Sequence, residues 1–405
     1  MKYLIILGDG MADTPIPELG NMTPLQAANT PTLDRIAEKS IHGTLNTVPD
    51  GFSPGSEIAH LSLLGYDVKS VYEGRGSLEA TSIGVNILPD EMAMRCNLVN
   101  ITGGILKNHS AGHITTKESD ELIKALNEGL SHYGVSFHTG VSYRNLLKIK
   151  NGRKEVLCTP PHDVPGTPFR DILVKPEIPE AQKTAGLINR LILESQQILE
   201  NHPVNLKRKA AGKDTANSIW PWSPGYKPEM EHLFAKYPIK NGVVISAVDL
   251  ILGIGIYAGL KPILVDGATG LYDTNYEGKA AAALEALETN DFVFLHIEAS
   301  DEAGHEGDYN LKVKTIENFD SRICKPVFEA LDKSDADVRV AVLPDHPTPC
   351  AIRTHSADPV PVMIYDKNIK PDGIKSYNEF DAKKGSLGNM IKDEFMNTFL
   401  RRKSL

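Results

Sequence analysis

The sequence predicts an α/β fold, because runs of apolar, β-prone residues alternate with segments of helical pattern. Four of these runs end or begin beside Asp, His, Gly or Pro: Met1–Leu7, Phe292–Ile297, Val338–Leu343 and Val360–Tyr365. Open α/β sheets carry their sites at the carboxyl ends of their strands. We therefore expect a core sheet with a functional site at one edge.

The composition is that of an ordinary globular protein and excludes several classes of function. The chain has 405 residues, 41% of them hydrophobic and 23% charged, which is long enough for two or three domains. Its net charge of -9 argues against a general role in binding nucleic acid. The longest apolar stretch, Val243–Leu260, contains Asp249 and three glycines and is too polar to span a membrane.

The cysteines and the N-terminal residues predict the compartment. The four cysteines are widely spaced and form no CxxC pair: Cys96, Cys158, Cys324 and Cys350. This is typical of reduced thiols and not of a disulfide framework or a zinc ribbon. No charged segment followed by a long apolar segment marks a signal peptide. We expect a soluble, cytoplasmic protein with no nucleic-acid or membrane partner.

The stretch FVFLHIEASDEAGHEGD, residues 292–308, contains the first candidate metal ligands. Its apolar run predicts a buried strand, after which Asp301 and His305 follow four residues apart. Carboxylate oxygen and imidazole nitrogen suit Zn²⁺ or Mn²⁺ better than Ca²⁺. Taken alone, the same residues are also compatible with a polar loop that carries one solvated histidine.

The other strand edges carry further residues of the same types. Asp9 follows Met1–Leu7, the pair Asp345 and His346 follows Val338–Leu343, and His355 precedes Val360–Tyr365. One Asp at a strand end means little, but several Asp and His residues at four strand edges indicate a two-metal centre.

Ser56 lies between Pro54-Gly55 and an apolar helical segment that starts near Ile58. At a helix N-terminus, free backbone N–H groups and the helix dipole favour a phosphate. A serine bound to a divalent cation loses its proton readily and becomes a nucleophile. The alternative is a simple N-cap with an acidic residue in the first turn.

The region 73–226 differs from the rest, because it contains none of the strand ends described above. We predict that it is an inserted second domain and that residues 1–72 and 227–405 form a discontinuous core. Candidate site residues in the insert are basic and polar: Arg95, Asn97, His113, Arg144, His162 and Asp163. Each of these is individually compatible with a surface position.

Three further residues have both a functional and a structural interpretation. Lys279 opposes the dipole at the start of a predicted helix and so lacks an obvious structural reason; it is compatible both with a solvated lysine and with a role on an anionic ligand. Trp220 and Trp222, the only tryptophans, lie in SIWPWSPG and either pack in a core or line a pocket.

No P-loop, kinase signature or complete GxGxxG is present, so nucleotide binding of the usual kinds is not supported.

The motifs GDGMAD, PGSEIAHLSLLGYD, SDEAGHEGD, PDH and THSADPVPV occur in this order along nearly the whole chain. Together they resemble the cofactor-independent phosphoglycerate mutases, in particular the short archaeal-type branch of the alkaline phosphatase superfamily. The resemblance implies an alkaline-phosphatase-like core, with a mostly parallel sheet and helices on both faces, plus a smaller inserted α+β domain. It also implies interconversion of 3-phosphoglycerate and 2-phosphoglycerate through a phosphoserine, with two Mn²⁺, Mg²⁺ or Zn²⁺ ions and a small phosphorylated substrate.

The resemblance also implies roles for individual residues. Ser56 matches the phosphorylated nucleophile, and Lys279 the lysine near the transferred phosphate. The ligands of one metal match Asp301, His305 and His355, and those of the other match Asp9, Asp345, His346 and the Ser56 hydroxyl. In the insert, which would close over glycerate, Arg95, His162 and Asp163 resemble residues on the substrate side.

The segment SIWPWSPG departs from the family pattern, since relatives have an aliphatic stretch that leads to an Arg-Gly pair. An arginine fork is a natural clamp for a carboxylate or phosphate. Three hypotheses follow: a mutase, a phosphotransferase to another small alcohol such as homoserine, and a non-enzymatic metal-binding protein. The identity of the metal and the oligomeric state are left open by the sequence.

Overall fold

The computed structural model describes residues 1–400, which form two compact units. The core unit contains Met1–Tyr72 and the described residues from Met230 onward, and the inserted unit contains Glu73–Glu229. The sequence predicts that the insert ends at residue 226, whereas the structural division follows Glu229. No helix or strand lies between Gly225 and Leu233, so the sequence pattern marks no boundary there.

The described residues form fifteen strands. In chain order they are β1 Lys2–Gly8, β2 Ser40–Asn46, β3 Glu91–Thr102, β4 Ile105–Asn108, β5 Val135–Val141, β6 Arg144–Lys150, β7 Val156–Leu157, β8 Lys175–Pro176, β9 Ser218–Gly225, β10 Gly242–Ile245, β11 Lys261–Ile263, β12 Phe292–Ile297, β13 Val338–Leu343, β14 Val360–Tyr365 and β15 Gly388–Ile391.

The same residues form sixteen α-helices. They are α1 Pro24–Ala27, α2 Pro31–Ala37, α3 Ser56–Leu63, α4 Val68–Val71, α5 Arg75–Ser82, α6 Thr116–Leu130, α7 Gln182–Leu199, α8 Pro203–Ala210, α9 Leu233–Lys236, α10 Asp249–Tyr257, α11 Tyr276–Thr289, α12 Ala299–Glu306, α13 Tyr309–Asn318, α14 Lys325–Asp332, α15 Glu379–Ala382 and α16 Glu394–Leu400. A π-helical turn, Phe319–Cys324, joins α13 to α14, and short 3₁₀ segments are Pro17–Leu19, Ser131–Tyr133, Phe169–Ile172 and Pro179–Ala181.

The core unit contains an eight-stranded sheet in the order β11-β10-β12-β1-β13-β14-β2-β15. Strands β11, β10, β12, β1 and β13 are parallel, β14 is antiparallel to both of its neighbours, and β15 is parallel to β2. This is the predicted mostly parallel sheet. Its topology places the carboxyl ends of β12, β1 and β13 side by side at one edge.

Helices cover both faces of this sheet, as predicted. Along β1, side chains alternate between the faces because successive residues of a strand point in opposite directions. Leu4 and Ile6 belong to a buried cluster that includes residues of α2, α11 and α14. On the opposite face, Tyr3 packs edge-on against Phe399 of α16, with ring centroids 5.6 Å apart. The central strands are therefore fully buried and read as continuous apolar runs.

The inserted unit is the predicted smaller α+β domain. It contains the sheet β4-β3-β6-β5, with β9 paired to β3, and each of these pairings is antiparallel. Helix α6 begins with a capping box formed by Thr115 and Glu118, and its buried residues recur at helical spacing. These residues join α7 and the sheet in one hydrophobic core.

Two predictions from composition can be compared with the structure. All four cysteines are unpaired. Among residues 1–400, no helix combines the length and the apolar character that crossing a membrane requires.

Candidate metal centre and nucleophile

The candidate site lies in the core unit, at the edge where three neighbouring parallel strands end. Asp9 directly follows β1, and Asp345 and His346 follow β13. After β12 the chain forms α12, which carries Asp301 and His305 one turn apart on one face. The sequence indicates only that these two residues come after a strand; the structure places them on a helix.

Asp301, His305 and His355 form the first group of ligand-type side chains. His305 Nε2 lies 3.2 Å from Asp301 Oδ2 and 3.0 Å from His355 Nε2, and His355 Nε2 lies 3.4 Å from Asp301 Oδ1. His305 Nδ1 lies 3.0 Å from the carbonyl oxygen of Arg353. In the neutral imidazole, donation from Nδ1 to this carbonyl would leave Nε2 unprotonated, as a metal ligand must be. The Thr348 hydroxyl donates to Asp301 Oδ1 and thereby orients that carboxylate.

Asp9, Asp345, His346 and Ser56 form the second group. His346 Nε2 lies 3.1 Å from Asp345 Oδ2, 3.8 Å from Asp9 Oδ1 and 3.2 Å from Ser56 Oγ. The backbone N–H groups of Gly10 and His346 donate to Asp345 Oδ1, at 3.1 and 2.8 Å. These hydrogen bonds leave Asp345 Oδ2 directed at the same group of atoms.

Ser56 is the first residue of α3, with Gly55 in an extended conformation before it. Gly55 occupies the N-cap position, and no side chain there accepts a hydrogen bond from the N–H groups of the first helical turn. The Ser56 hydroxyl thus lies at a helix N-terminus and beside the second group of ligand-type residues. The sequence predicts both a helix N-terminus and a neighbouring metal site for Ser56, and the structure places its hydroxyl beside the N-terminus of α3 and beside His346.

Three residues at the site are missing from the sequence prediction: His60, His296 and Glu298. His296 Nε2 lies 2.8 Å from Asp9 Oδ2 and 3.3 Å from Glu298 Oε2. His60 Nδ1 lies 2.8 Å from the Ser56 carbonyl oxygen and 3.4 Å from Asp345 Oδ2. Asp9, His60 and His296 form a third group whose candidate ligand atoms lie within 4.8 Å of one another. The sequence offered one signal for each histidine. His296 is a polar residue inside an apolar strand, and His60 lies one helical turn after Ser56.

Lys279 lies in the first turn of α11 and is fully buried. Its ammonium group donates to the carbonyl oxygen of His296, at 3.2 Å. Burial lowers the pKa of Lys279 to about 8, with Glu298 acting in the opposite direction. Lys279 is therefore tied to the strand that leads into α12, and it is not the solvated lysine of the structural alternative.

Burial also dominates the pKa values of the ligand-type residues. Burial and repulsion between carboxylates raise the pKa of Asp9 well above its usual range and that of Glu298 to about 8. Burial lowers the pKa of His346 to about 3. At Asp301, burial acts to raise the pKa but is outweighed by hydrogen bonds to histidines, first to His305, and the pKa falls well below its usual range. The chain itself thus supplies too little positive charge for its buried carboxylates.

The donor set fits divalent cations. Several buried polar atoms make no hydrogen bond: Asp9 Oδ1, His60 Nε2, Glu298 Oε2 and Asp345 Oδ2. Leaving such a group unsatisfied costs about 1–3 kcal/mol, so a native site normally gives it a partner. Mixed carboxylate and imidazole ligands suit Zn²⁺ and Mn²⁺.

A buried lysine joins two of the loops that carry these residues. Lys312 Nζ donates to Asp13 Oδ2 at 2.9 Å and to the carbonyl oxygens of Ala12 and Thr348 at 3.1 and 2.8 Å. Asp13 Oδ2 also accepts from the N–H of Cys350, at 3.1 Å. The loop after β1 and the loop after β13 are therefore held to one ammonium group.

The Lys312→Met variant should be destabilised by about 3–5 kcal/mol, because the Asp13 carboxylate would remain buried without its partner. Urea unfolding of the metal-free protein measures this change. The matched control is Lys314→Met, since Lys314 is exposed and its ion pair with Glu317 should contribute at most about 1 kcal/mol. Equal unfolding free energies for the two variants would contradict the assignment of Lys312 as the tie between the loops.

In the inserted unit, two of the three predicted substrate residues contact the same indole, that of Trp222. The Arg95 guanidinium carbon lies 4.6 Å from the centroid of the Trp222 ring, and the His162 ring packs edge-on against the same indole, with centroids 5.3 Å apart. Asp163 is exposed, and its Oδ1 lies 3.4 Å from His162 Nε2. Trp220 is buried, and its Nε1 donates to the Thr159 carbonyl at 2.9 Å, so its structural interpretation holds.

The fold and the site define a class: α/β proteins with buried groups of metal-type ligands beside a serine at a helix N-terminus. Comparison with known proteins identifies the family within this class. The sequence model of a family described as 2,3-bisphosphoglycerate-independent phosphoglycerate mutase matches residues 37–205. A protein of that name from Methanosarcina mazei is 50% identical over 404 residues, which cover 99% of this chain and 100% of the relative. The chain belongs to the family of 2,3-bisphosphoglycerate-independent phosphoglycerate mutases.

Solved structures agree with this membership. A protein from Pyrococcus horikoshii superposes with a TM-score of 0.83 at 30% sequence identity, over 100% of this chain and 98% of the other. The cofactor-independent phosphoglycerate mutase from Thermoplasma acidophilum superposes with a TM-score of 0.66 at 28% identity, over 98% of each chain.

Proposed function

We propose that the protein interconverts 3-phosphoglycerate and 2-phosphoglycerate and that Ser56 carries the phosphoryl group between them, as part of glycolysis and gluconeogenesis. The observation that carries the proposal is the position of Ser56 Oγ, at a helix N-terminus and 3.2 Å from His346 Nε2. Family membership over the whole chain supports the same reaction. This role in central metabolism also supports a cytoplasmic location.

Asp301, His305 and His355 would hold one divalent ion, and Asp9, Asp345, His346 and the Ser56 hydroxyl would hold the other, as Mn²⁺, Mg²⁺ or Zn²⁺. When bound, such ions lower the pKa of a hydroxyl and neutralise charge on phosphoryl oxygens. The chain's own contribution is to hold these ligands in place. Thr348 orients Asp301, and the backbone N–H groups of Gly10 and His346 orient Asp345.

Ser56 Oγ would attack phosphorus as the bond from phosphorus to the substrate oxygen breaks, and the proton lost from Oγ would end on the glycerate oxygen that departs. The resulting glycerate would then take the phosphoryl group back from Ser56 on its other hydroxyl. Free N–H groups at the start of α3 favour the phosphoserine, because they point toward an anion at a helix N-terminus. Lys279 would add positive charge close to the transferring oxygens.

In the inserted unit, Arg95, His162 and Asp163 are the proposed substrate-binding residues, and the unit would act as the substrate domain. Arg95 and His162 share the indole of Trp222, which supports a common role. The alternative function, transfer of a phosphoryl group to another small alcohol such as homoserine, is not favoured by the comparisons. Its sequence argument was the SIWPWSPG segment, and both tryptophans of that segment are buried in the hydrophobic core of the inserted unit.

The test is an assay of the Mn²⁺-loaded protein with 3-phosphoglycerate, followed by detection of 2-phosphoglycerate. Parallel samples contain homoserine with ATP. Isomerisation that disappears with a chelator and returns with Mn²⁺ is the expected result. Phosphohomoserine without isomerisation would overturn the proposed substrate, and no product from either substrate would favour a metal-binding protein without this activity.

The Lys279→Met variant should lose kcat on the order of 10²-fold, the scale of losing one charge-stabilising group in a reaction centre. Because Lys279 holds no metal in this proposal, the metal content of the variant should equal that of the unmodified protein. Lys279→Arg, which keeps the charge, should retain more activity than the methionine variant. A methionine variant with unchanged kcat would remove Lys279 from the mechanism.

A further inference from the structure

His296 lies between Asp9 and a serine that belongs to neither ligand group. It is fully buried near the end of β12, whose neighbours in the sheet are β10 and β1. Ser246 directly follows β10, and Asp9 directly follows β1. Ser246 Oγ lies 3.0 Å from His296 Nδ1, and Asp9 Oδ2 lies 2.8 Å from His296 Nε2. Three neighbouring strands therefore bring a hydroxyl, an imidazole and a carboxylate into one row.

The hydrogen bonds of this row determine which nitrogen of His296 carries a proton. A carboxylate that binds a metal is ionised, and an ionised carboxylate only accepts hydrogen bonds. The proton between Asp9 and His296 is therefore on Nε2. In the neutral ring, Nδ1 is then an acceptor for the Ser246 hydroxyl, whose oxygen accepts from the backbone N–H of Val248 at 3.0 Å. Each polar atom of the imidazole and of the hydroxyl thus has a partner.

The two carboxylate oxygens of Asp9 have different surroundings. Oδ2 accepts from His296, whereas Oδ1 is buried, has no hydrogen-bond partner among residues 1–400 and lies 3.8 Å from His346 Nε2. The main chain of Asp9 is held as well, because its N–H donates to the Ile297 carbonyl at 2.9 Å and its own carbonyl accepts from the Ser300 hydroxyl at 2.6 Å. The side-chain torsions are the freedom that remains, and the hydrogen bond from His296 restricts them.

A second carboxyl group lies near the same nitrogen. Glu298 Oε2 is 3.3 Å from His296 Nε2 and is hydrogen-bonded to none of the described residues. Two buried carboxylates close to one another repel. Without the N–H of His296, Asp9 would keep this neighbour and lose the donor on Oδ2, so we expect its carboxylate to leave the observed orientation.

We propose that His296 is a positioning residue, which donates from Nε2 to Asp9 Oδ2 and so directs Asp9 Oδ1 at the second divalent ion. The proposal rests on the proposed function, in which Asp9 holds that ion, and deepens it. His296 is then the partner of a ligand and not itself a ligand, because Asp9 occupies its Nε2 and Ser246 its Nδ1. Losing such a partner of a metal ligand typically lowers metal affinity or activity roughly 10–100-fold.

The test measures binding of Mn²⁺ to the metal-free full chain by equilibrium dialysis, without substrate. The unmodified protein should bind two ions. In His296→Leu, one dissociation constant should stay unchanged and the other should rise roughly 10–100-fold. His296→Gln, whose side-chain amide can donate in place of Nε2, should recover most of this affinity. Asp9→Asn should bind one ion, and adding His296→Leu to it should leave that ion's affinity unchanged, which identifies the weakened ion as the one that Asp9 holds.

His42→Leu is the matched control. His42 is also fully buried in the same sheet, on β2, and its Nδ1 lies 3.0 Å from a carboxylate oxygen of Asp372. Its loss should lower the free energy of unfolding but leave both Mn²⁺ dissociation constants unchanged, because Asp372 belongs to neither ligand group. Ser246→Ala carries the test if His296→Leu does not fold. It removes the hydrogen bond to Nδ1 and should weaken the second ion by a smaller factor.

Unchanged affinity for both ions in His296→Leu, or in Ser246→Ala where the leucine variant does not fold, would overturn the positioning role. Normal mutase activity would then leave the proposed function intact. A third Mn²⁺ ion in the unmodified protein that is lost in His296→Leu would also overturn the role, because His296 would then be a ligand. Selective loss of the second ion in a protein that has no mutase activity before mutation would support the role and contradict the proposed function.

Discussion

Replacing Ser56 by alanine should abolish interconversion of 3-phosphoglycerate and 2-phosphoglycerate, with a loss on the order of 10³-fold or more. The reason is that the proposed path has no other acceptor for the phosphoryl group. The variant should still bind metal, because the carboxylates and histidines of both ligand groups remain. Activity is measured with the Mn²⁺-loaded protein, and metal content is measured on the same preparation.

Ser53→Ala is the matched control, because Ser53 is exposed in the same loop, three positions before Ser56. It should keep full activity. Brief incubation of the unmodified protein with substrate, acid quenching and peptide mass spectrometry should find phosphate on Ser56. An active Ser56→Ala protein would exclude a phosphoserine at this position, and phosphate on a different residue would reassign the nucleophile.

Replacing Asp9 by asparagine should have the second largest effect. Asp9 is fully buried and belongs to two of the three groups of candidate ligands. Loss of its charge should lower the bound metal from two ions per chain to one. Mutating a residue that only hydrogen-bonds to a metal ligand typically lowers activity roughly 10–100-fold. Because Asp9 is itself a proposed ligand, its loss should lower activity by more than this.

The metal-free protein should respond to the same change in the opposite direction. Burial there, followed by repulsion from neighbouring carboxylates, raises the pKa of Asp9, so the neutral asparagine should leave the unfolding free energy equal or higher. Asp50→Asn, a change at an exposed loop position, is the control for both measurements. Two ions bound per chain in Asp9→Asn would show that Asp9 is not a required ligand.

The core strands and most of the candidate site could be predicted because their signals are local. Apolar runs of strand length followed by Asp or His are visible in the sequence itself, and parallel topology then brings their ends together. Asp9, Asp301 and Asp345 were found in this way. The antiparallel direction of β14 could not be predicted, because it depends on which strands become neighbours.

The missed residues lie where the local pattern indicates packing. His296 occupies a position inside β12 that reads as core, and His60 lies among the apolar residues of α3. Only their contacts in the folded chain, with Asp9 and Asp345, distinguish them from packed histidines. Similarly, the pairing of β3 with β9 that places Trp222 on Arg95 joins positions more than a hundred residues apart and leaves no local trace.

The order of the core sheet has a consequence for synthesis on the ribosome. Strand β1 lies between β12 and β13, so residues 2–8 have no neighbours in the sheet until residues 292–343 have been made. The inserted unit, by contrast, is complete at residue 229. Since domains generally fold as units while the chain emerges, the insert should become resistant to protease first. Until then the apolar β1 segment has no strand partner, so the nascent chain carries a segment that needs protection from aggregation.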